Sequence, residues 1–232
     1  MSKPASNFFR SGFRDPLGDS TEIHWRLAEW YGDLGPEKLA MLKVYHEELI
    51  RFNAAVNLIS VKTLSQADSL HFADSICASR IIYSEAGARE YFDFGSGNGF
   101  PGLVFGIVFP DCKIRLVDAD ERKCEFLKHV VSKLNIQNIQ IVNTQFEKIP
   151  EKSANYGVSR ALATLPKALL LLRKQFVKGG VLFHMKGEEW FNEVSSLPTQ
   201  LCSFWRPALV KEYKLPVGEV AYSIVKTTKI AD

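Results

Sequence analysis

Long apolar runs are missing from this chain: none of its 232 residues lie in a stretch approaching the roughly 18 that a membrane-spanning helix needs. Cysteine is scarce. The four present (Cys77, Cys112, Cys124, Cys202) show no C-x-x-C spacing and no metal-ligand pattern, so a disulfide scaffold and a zinc module are both excluded. Buried reduced thiols, no metal and a cytoplasmic location are therefore expected. The first residues, MSKPASNFFRSGFRDPLGDS, lack the apolar stretch of a secretory signal. Their Ser, Gly, Pro and charge predict a flexible tail over 1–19, although Arg10 and Arg14 among Phe8, Phe9 and Phe13 suit a polyanion. Excess charge is missing too. A net +3 permits a nucleic-acid partner without requiring one.

What is present is a full core, with 46% hydrophobic residues, and a change of texture near residue 87. From 20 to 87 the pattern is helical. Ser20 or Thr21 can cap a first helix carrying Ile23, Leu27 and Trp30, and Pro36 suits the first turn of a second. Leu39, Leu42, Tyr45, Leu49, Phe52 and Val56 recur at steps of three and four as a core-facing stripe. A third helix is expected over about Leu64 to Ile82. Over 88–232, short apolar strands alternate with helices: REYFDF, CKIRLVD, IQIVNT, YGVSRA and GGVLFHMKG read as strands, with LPKALLLLRKQF among the helices. ALVKEYKL and VAYSIVKTT close the chain as a hairpin. This alternation predicts an α/β fold with a mostly parallel sheet, a C-terminal antiparallel hairpin and an N-terminal helical extension.

The stretch DFGSGNGFPG places Gly95, Gly97, Gly99 and Gly102 directly after the first strand. A glycine-rich strand-to-helix turn lets a ligand approach bare backbone and unpaired N–H groups. Read from Gly97, it satisfies G-x-G-x-x-G, and Asp118 lies 21 positions on, where a dinucleotide fold carries its ribose-binding acid. An NAD-dependent dehydrogenase fits that pattern. Read from Asp93, the same residues give D-x-G-x-G-x-G, which resembles motif I of class I S-adenosylmethionine-dependent methyltransferases. Asp93 favours the second reading: a carboxylate beside a pyrophosphate is unfavourable, whereas it can face the cationic amino end of S-adenosylmethionine. Asp118 can accept ribose hydroxyls in either case.

Further stretches, in order, narrow the choice: RFNAAVNLISV (Arg51 to Val61), HFADSI (His71 to Ile76), LVDADERKCEFLKHV, VSRALATL (Val158 to Leu165) and MKG (Met185 to Gly187). Together with the glycine loop they resemble the bacterial 16S rRNA guanine-N7 methyltransferases, the RsmG or glucose-inhibited division protein B family. The resemblance implies a class I, Rossmann-like methyltransferase acting on 16S rRNA or a small-subunit particle, and a monomer without membrane contact is expected. It implies a cofactor pocket at Gly95, Phe100, Phe146, Glu147 and Arg160, joining Asp93, Gly97, Gly99 and Asp118. Phe146 can lie against the adenine face and Glu147 can accept from an adenine N–H. Because guanine N7 already carries a free lone pair, positioning groups are expected rather than a catalytic triad. Arg160, His71 and Asp74 are the candidates at the reacting base, and Asn53, Asn57, His71 and Lys186 the candidates for holding RNA. Asn57 could equally turn the chain, and Asp74 could serve only to orient His71. Two departures stand out: Glu188 and Glu189 follow MKG where relatives often carry basic residues, and the last hairpin lacks a basic pair. The glutamates would repel phosphate. A methyltransferase with another RNA or a small-molecule acceptor is the alternative.

Overall fold

A computed structural model describes residues 22–232; the expectations for the 1–19 tail and for a cap at Ser20 or Thr21 lie outside the described residues. Helix α1 is only Leu27–Trp30, because residues 22–26 run without regular structure, tied by the His24 N–H to the Ser65 carbonyl. Helix α2, Pro36–Val56, starts with the predicted proline and stops where Asn57 turns left-handed at φ 54°. Helix α3, Val61–Leu64, is capped by the Ser60 hydroxyl.

The expected third helix is divided. A π-helical turn, Asp68–Ala73, leads into α4, Asp74–Ala86, which ends at Gly87. The wide turn is anchored from a distance and has a consequence. The Asp68 carboxylate, fully buried, is held by the Arg26 backbone N–H and guanidinium at 2.9–3.0 Å. The Asp74 N–H bonds to the Ser69 and His71 carbonyls and passes over Leu70, whose carbonyl is left for a partner elsewhere.

The strands are β1 Glu90–Phe94, β2 Lys113–Asp118, β3 Ile139–Asn143, β4 Ala154–Arg160, β5 Phe176–Lys186, β6 Trp205–Lys214 and β7 Ala221–Lys229. They are joined by α5 Gly102–Val108, α6 Glu121–Lys133, α7 Leu165–Leu171, α8 Trp190–Ser195 and α9 Thr199–Cys202. The sheet order is β3-β2-β1-β4-β5-β7-β6, with β1 to β5 parallel and β7 antiparallel to both neighbours. Strand order reverses between β1 and β4, which opens a cleft at their carboxyl ends. Helix α7 is shorter than LPKALLLLRKQF suggests, because the Lys174 and Gln175 carbonyls accept from the Lys152 and Ala154 N–H groups and draw the chain into the sheet.

Alternation along β1 sorts the two cores. Tyr91 joins one with Leu42, Tyr45, Leu49, Phe72, Phe105 and Leu127, so the helical extension and the sheet share a single packed layer. Phe92 and Phe94 face the other, with Leu169, Phe176 and Trp205. The cysteines form no disulfide, and two of them depart from the expected burial: Cys202 is exposed and Cys77 half-buried. No helix among the described residues is long and apolar enough to cross a membrane.

Candidate functional site

The glycine loop leaves β1 at the reversal point. The Gly95 and Ser96 N–H groups donate to the Val117 carbonyl of the neighbouring strand, at 2.9 and 3.1 Å. Gly95, Gly97 and Gly99 have φ of 75°, 53° and 102°, a region that disfavours side chains. Space separates their roles. A Cβ on Gly95 would lie 2.8 Å from Leu162 Cδ1, and one on Gly99 2.7 Å from the Tyr45 hydroxyl and 2.9 Å from Leu127 Cδ2. On Gly97 the nearest atom would be the Gly95 carbonyl oxygen at 3.8 Å. Gly95 and Gly99 are thus bare because protein packs against them, while the space before Gly97 is open to a ligand. Helix α2 braces the loop from outside: the Tyr45 hydroxyl donates to the Asn98 carbonyl at 2.6 Å, and Asn98 Nδ2 donates to the Leu58 carbonyl.

Two carboxylates flank the loop differently. Asp118 accepts the Gly97 N–H on Oδ2 at 2.7 Å and the Asp120 N–H on Oδ1 at 2.9 Å, so it clamps the turn from the end of β2. Asp93 is fully buried; its Oδ2 accepts the Gly102 N–H at the start of α5, and its Oδ1 has no partner. Burial pushes its carboxyl up to about 7, the Gly102 bond opposing and Asp118 adding to the rise. A buried, unpartnered carboxylate oxygen on the strand from which the glycine loop leaves suits a cationic ligand better than a phosphate.

Arg160 ends β4 across the cleft. Its Nη2 donates to the Leu70 carbonyl left over by the π-turn (2.9 Å) and to His71 Nδ1 (3.0 Å), and its Nε lies 3.4 Å from Asp74 Oδ2. Asp74 Oδ1 accepts the Tyr213 hydroxyl at 2.6 Å. His71 Nε2 meets Thr63 Oγ1 at 3.1 Å, and the ring stacks on Phe100. Burial, then the Arg160 charge, hold His71 down to about 3, so it is neutral and accepts at Nδ1. Among the described residues Asp74 does not bond His71; Arg160 stands between them and is oriented by both. One nitrogen of the fork, Nη1, is buried without a partner. Arg160 also lines a cavity of about 370 Å³ whose walls include Asp74, Thr164, Lys186 and Tyr222.

The glycine loop, the sheet order and this cleft suit more than one cofactor family, and comparison with known proteins decides. Residues 38–210 match the family model described as rRNA small subunit methyltransferase G. The chain belongs to that family. The "Ribosomal RNA small subunit methyltransferase G 3" of Bdellovibrio bacteriovorus is 49% identical over 210 residues, spanning 90% of this chain and 95% of that protein. A methyltransferase G of Paracoccus denitrificans is 32% identical over 66% of this chain and 79% of its own length. In fold, the chain is similar to the YcgJ protein of Bacillus subtilis (TM-score 0.53, 11% identity, 68% of this chain and 100% of that one). It is similar too to the tRNA (m1A58) methyltransferase TrmI of Aquifex aeolicus (TM-score 0.50, 15% identity, 67% and 69%). The dehydrogenase reading of the loop is thereby set aside.

Within this methyltransferase G frame the remaining candidates scatter. Phe146 sits in a one-turn 3-10 helix after β3, its ring edge-on to Phe94, and Glu147 beside it is exposed. Phe100 is buried between Tyr45, His71 and Phe72, a packing position under the loop rather than on the cleft surface. Asn53 is also buried; its Oδ1 accepts the Ile59 N–H at 2.8 Å and closes the turn after α2. Asn57 is the left-handed cap that follows α2, and its N–H donates to the Asn53 carbonyl. Lys186 does line the cavity, paired with Glu193 at 2.7 Å, and Glu193 also receives the Leu165 N–H at the start of α7. Sequence reasoning missed Tyr213, Thr63, Glu193 and Tyr222. Tyr213 lies 139 positions from Asp74, and nothing local signals their contact.

Proposed function

We propose that this protein transfers a methyl group to N7 of a guanine in 16S rRNA, with Arg160 as the group that positions the base. Membership of the rRNA small subunit methyltransferase G family carries the reaction class, and S-adenosylmethionine is the methyl donor. When bound, the cofactor supplies a sulfonium-activated methyl. The open backbone at Gly97 gives room for its methionine end, and the free Oδ1 of Asp93 receives its ammonium. Asp118, with lone pairs beyond those used by Gly97 and Asp120, accepts the ribose hydroxyls. Phe146 and Glu147 serve the adenine.

The base enters the cavity beside Arg160. The lone pair at N7 needs no proton removed, so the neutral, internally bonded His71 does not act as a base; its work is to fix the Arg160 fork together with Asp74 and the Leu70 carbonyl. Arg160, on the wall of that cavity, would then donate to the guanine O6 and leave N7 free. Lys186, on the same wall, supplies a cation to the RNA backbone. No proton needs to move in such a transfer, so no residue of the chain is asked to act as acid or base. Mapping of 7-methylguanine in 16S rRNA from cells with and without this protein tests the reading: one guanine should lose its N7 methyl in the deletion strain. An unchanged methylation map rejects it.

A further inference from the structure

Among the described residues six large apolar side chains are exposed, and three of them lie on the two elements that follow and flank Lys186: Phe191 (64% exposed) on α8, and Val217 and Val220 in the β6–β7 turn. Helix α8 starts just past Lys186, and two contacts hold it to the hairpin. The Trp190 indole N–H donates to Glu212 at 3.2 Å, and the Ala221 N–H lies 3.5 Å from Glu188 Oε1. Tyr222, on the same hairpin, lines the cavity and stacks on Tyr213. These contacts hold α8 and the hairpin together as one rim, which reaches the cavity at Tyr222.

Its charge has the wrong sign for RNA. Glu188, Glu189, Glu212 and Glu219 are exposed along these two elements, against the exposed ammonium groups of Lys211 and Lys214, the latter already paired with Glu219 at 3.0 Å. The chain as a whole carries +3, so the acidic patch is not a reflection of overall composition. Phosphates at such a rim would meet four carboxylates with little compensation. Exposed apolar side chains ringed by carboxylates match instead a basic, partly apolar polypeptide.

We infer that this rim docks a lysine- or arginine-rich protein segment of the small-subunit particle, beside the rRNA that enters the cavity. The inference rests on the rRNA reading above. Substrate recognition is then divided: Arg160 and Lys186 address the nucleotide inside, and α8 with the hairpin turn addresses protein outside. Rim carboxylates gain from lysine ammonium groups, and Phe191 supplies the central apolar anchor.

The test uses the full-length enzyme, purified small-subunit particles and S-adenosylmethionine. Carbodiimide treatment of the mixture should give an amide cross-link between a rim glutamate and a lysine of a particle protein, mapped by mass spectrometry and absent from the Glu188→Gln, Glu189→Gln variant. Phe191→Ala and Glu188→Lys, Glu189→Lys should each raise KM for the particle by about tenfold or more, with cofactor affinity unchanged. Tighter particle binding by the lysine variant overturns the proposal and puts RNA on the rim. So does a particle methylated at the normal rate that gives no protein cross-link. A particle that the wild-type enzyme does not methylate rejects the rRNA reading first, and this inference with it.

Discussion

Residue by residue, the glycine loop divides into positions kept bare by the protein and one kept bare for a ligand. Gly97→Val places its side chain in open space, so the protein should fold, with a backbone strain of about 1–3 kcal/mol at φ 53°, while S-adenosylmethionine binding is lost. Gly99→Val should fail differently, by destabilising the fold, since its Cβ would meet Tyr45 and Leu127 below 3.0 Å. Calorimetric titration and thermal melts on the two variants separate these outcomes. Asp93 adds a pH signature. Its carboxyl is raised from 3.8 to about 7 by burial, so the folded state holds a proton that the unfolded chain has released. The stability linked to that proton is present below about pH 4 and is lost as pH rises through 7. A ligand ammonium favours the ionised form, so cofactor affinity should rise across the same interval. The cofactor-induced shift in melting temperature should be larger at pH 8 than at pH 5.5, and Asp93→Asn should flatten the difference.

At the level of elements, the site depends on pieces that have no chemistry of their own. The π-turn before α4 leaves the Leu70 carbonyl for Arg160, and α2 reaches the glycine loop through the Tyr45 hydroxyl. Strand β6 contributes Tyr213, whose phenol holds Asp74, which in turn holds Arg160. Tyr213→Phe removes a hydrogen bond to a carboxylate, a contact of about 1.5–3 kcal/mol, so kcat should drop by about tenfold or more with cofactor affinity unchanged. Burial pushes the Asp74 carboxyl up, while Arg160 and then Tyr213 hold it down. Losing the phenol should therefore move the acid limb of the kcat profile to higher pH. A purely structural role for Tyr213 would lower stability without moving that limb.

For the whole molecule, one core spans the helical extension and the sheet, so the helices that carry His71 and Asp74 cannot swing free of the strand that carries Arg160. If Lys186 meets a phosphate, Lys186→Ala should lower the slope of log affinity against log salt by about 0.7–0.9 and leave the cofactor unaffected. Affinity measured over a salt series checks both; an unchanged slope assigns Lys186 wholly to its pair with Glu193 and the start of α7.

The sequence by itself determined the strand–helix order, the proline start of α2, the hairpin and the glycine loop, because each follows from local periodicity or from backbone freedom at one residue. It brought Asp93, Gly97, Asp118, Arg160, His71 and Asp74 forward as residue types in ordered motifs. Only the tertiary structure decided what each does. Asn53 was legible as a polar side chain on a helix, yet its burial against the Ile59 N–H could not be read from spacing. The Asp74–His71 pair at helical spacing is parted by Arg160 from a distant strand, and the π-turn that makes this possible depends on Arg26 reaching across to Asp68. Periodicity reports which way a side chain leaves its own element. Which partner waits there is set by contacts between residues 42 to 139 positions apart, and those exist only once the core has packed.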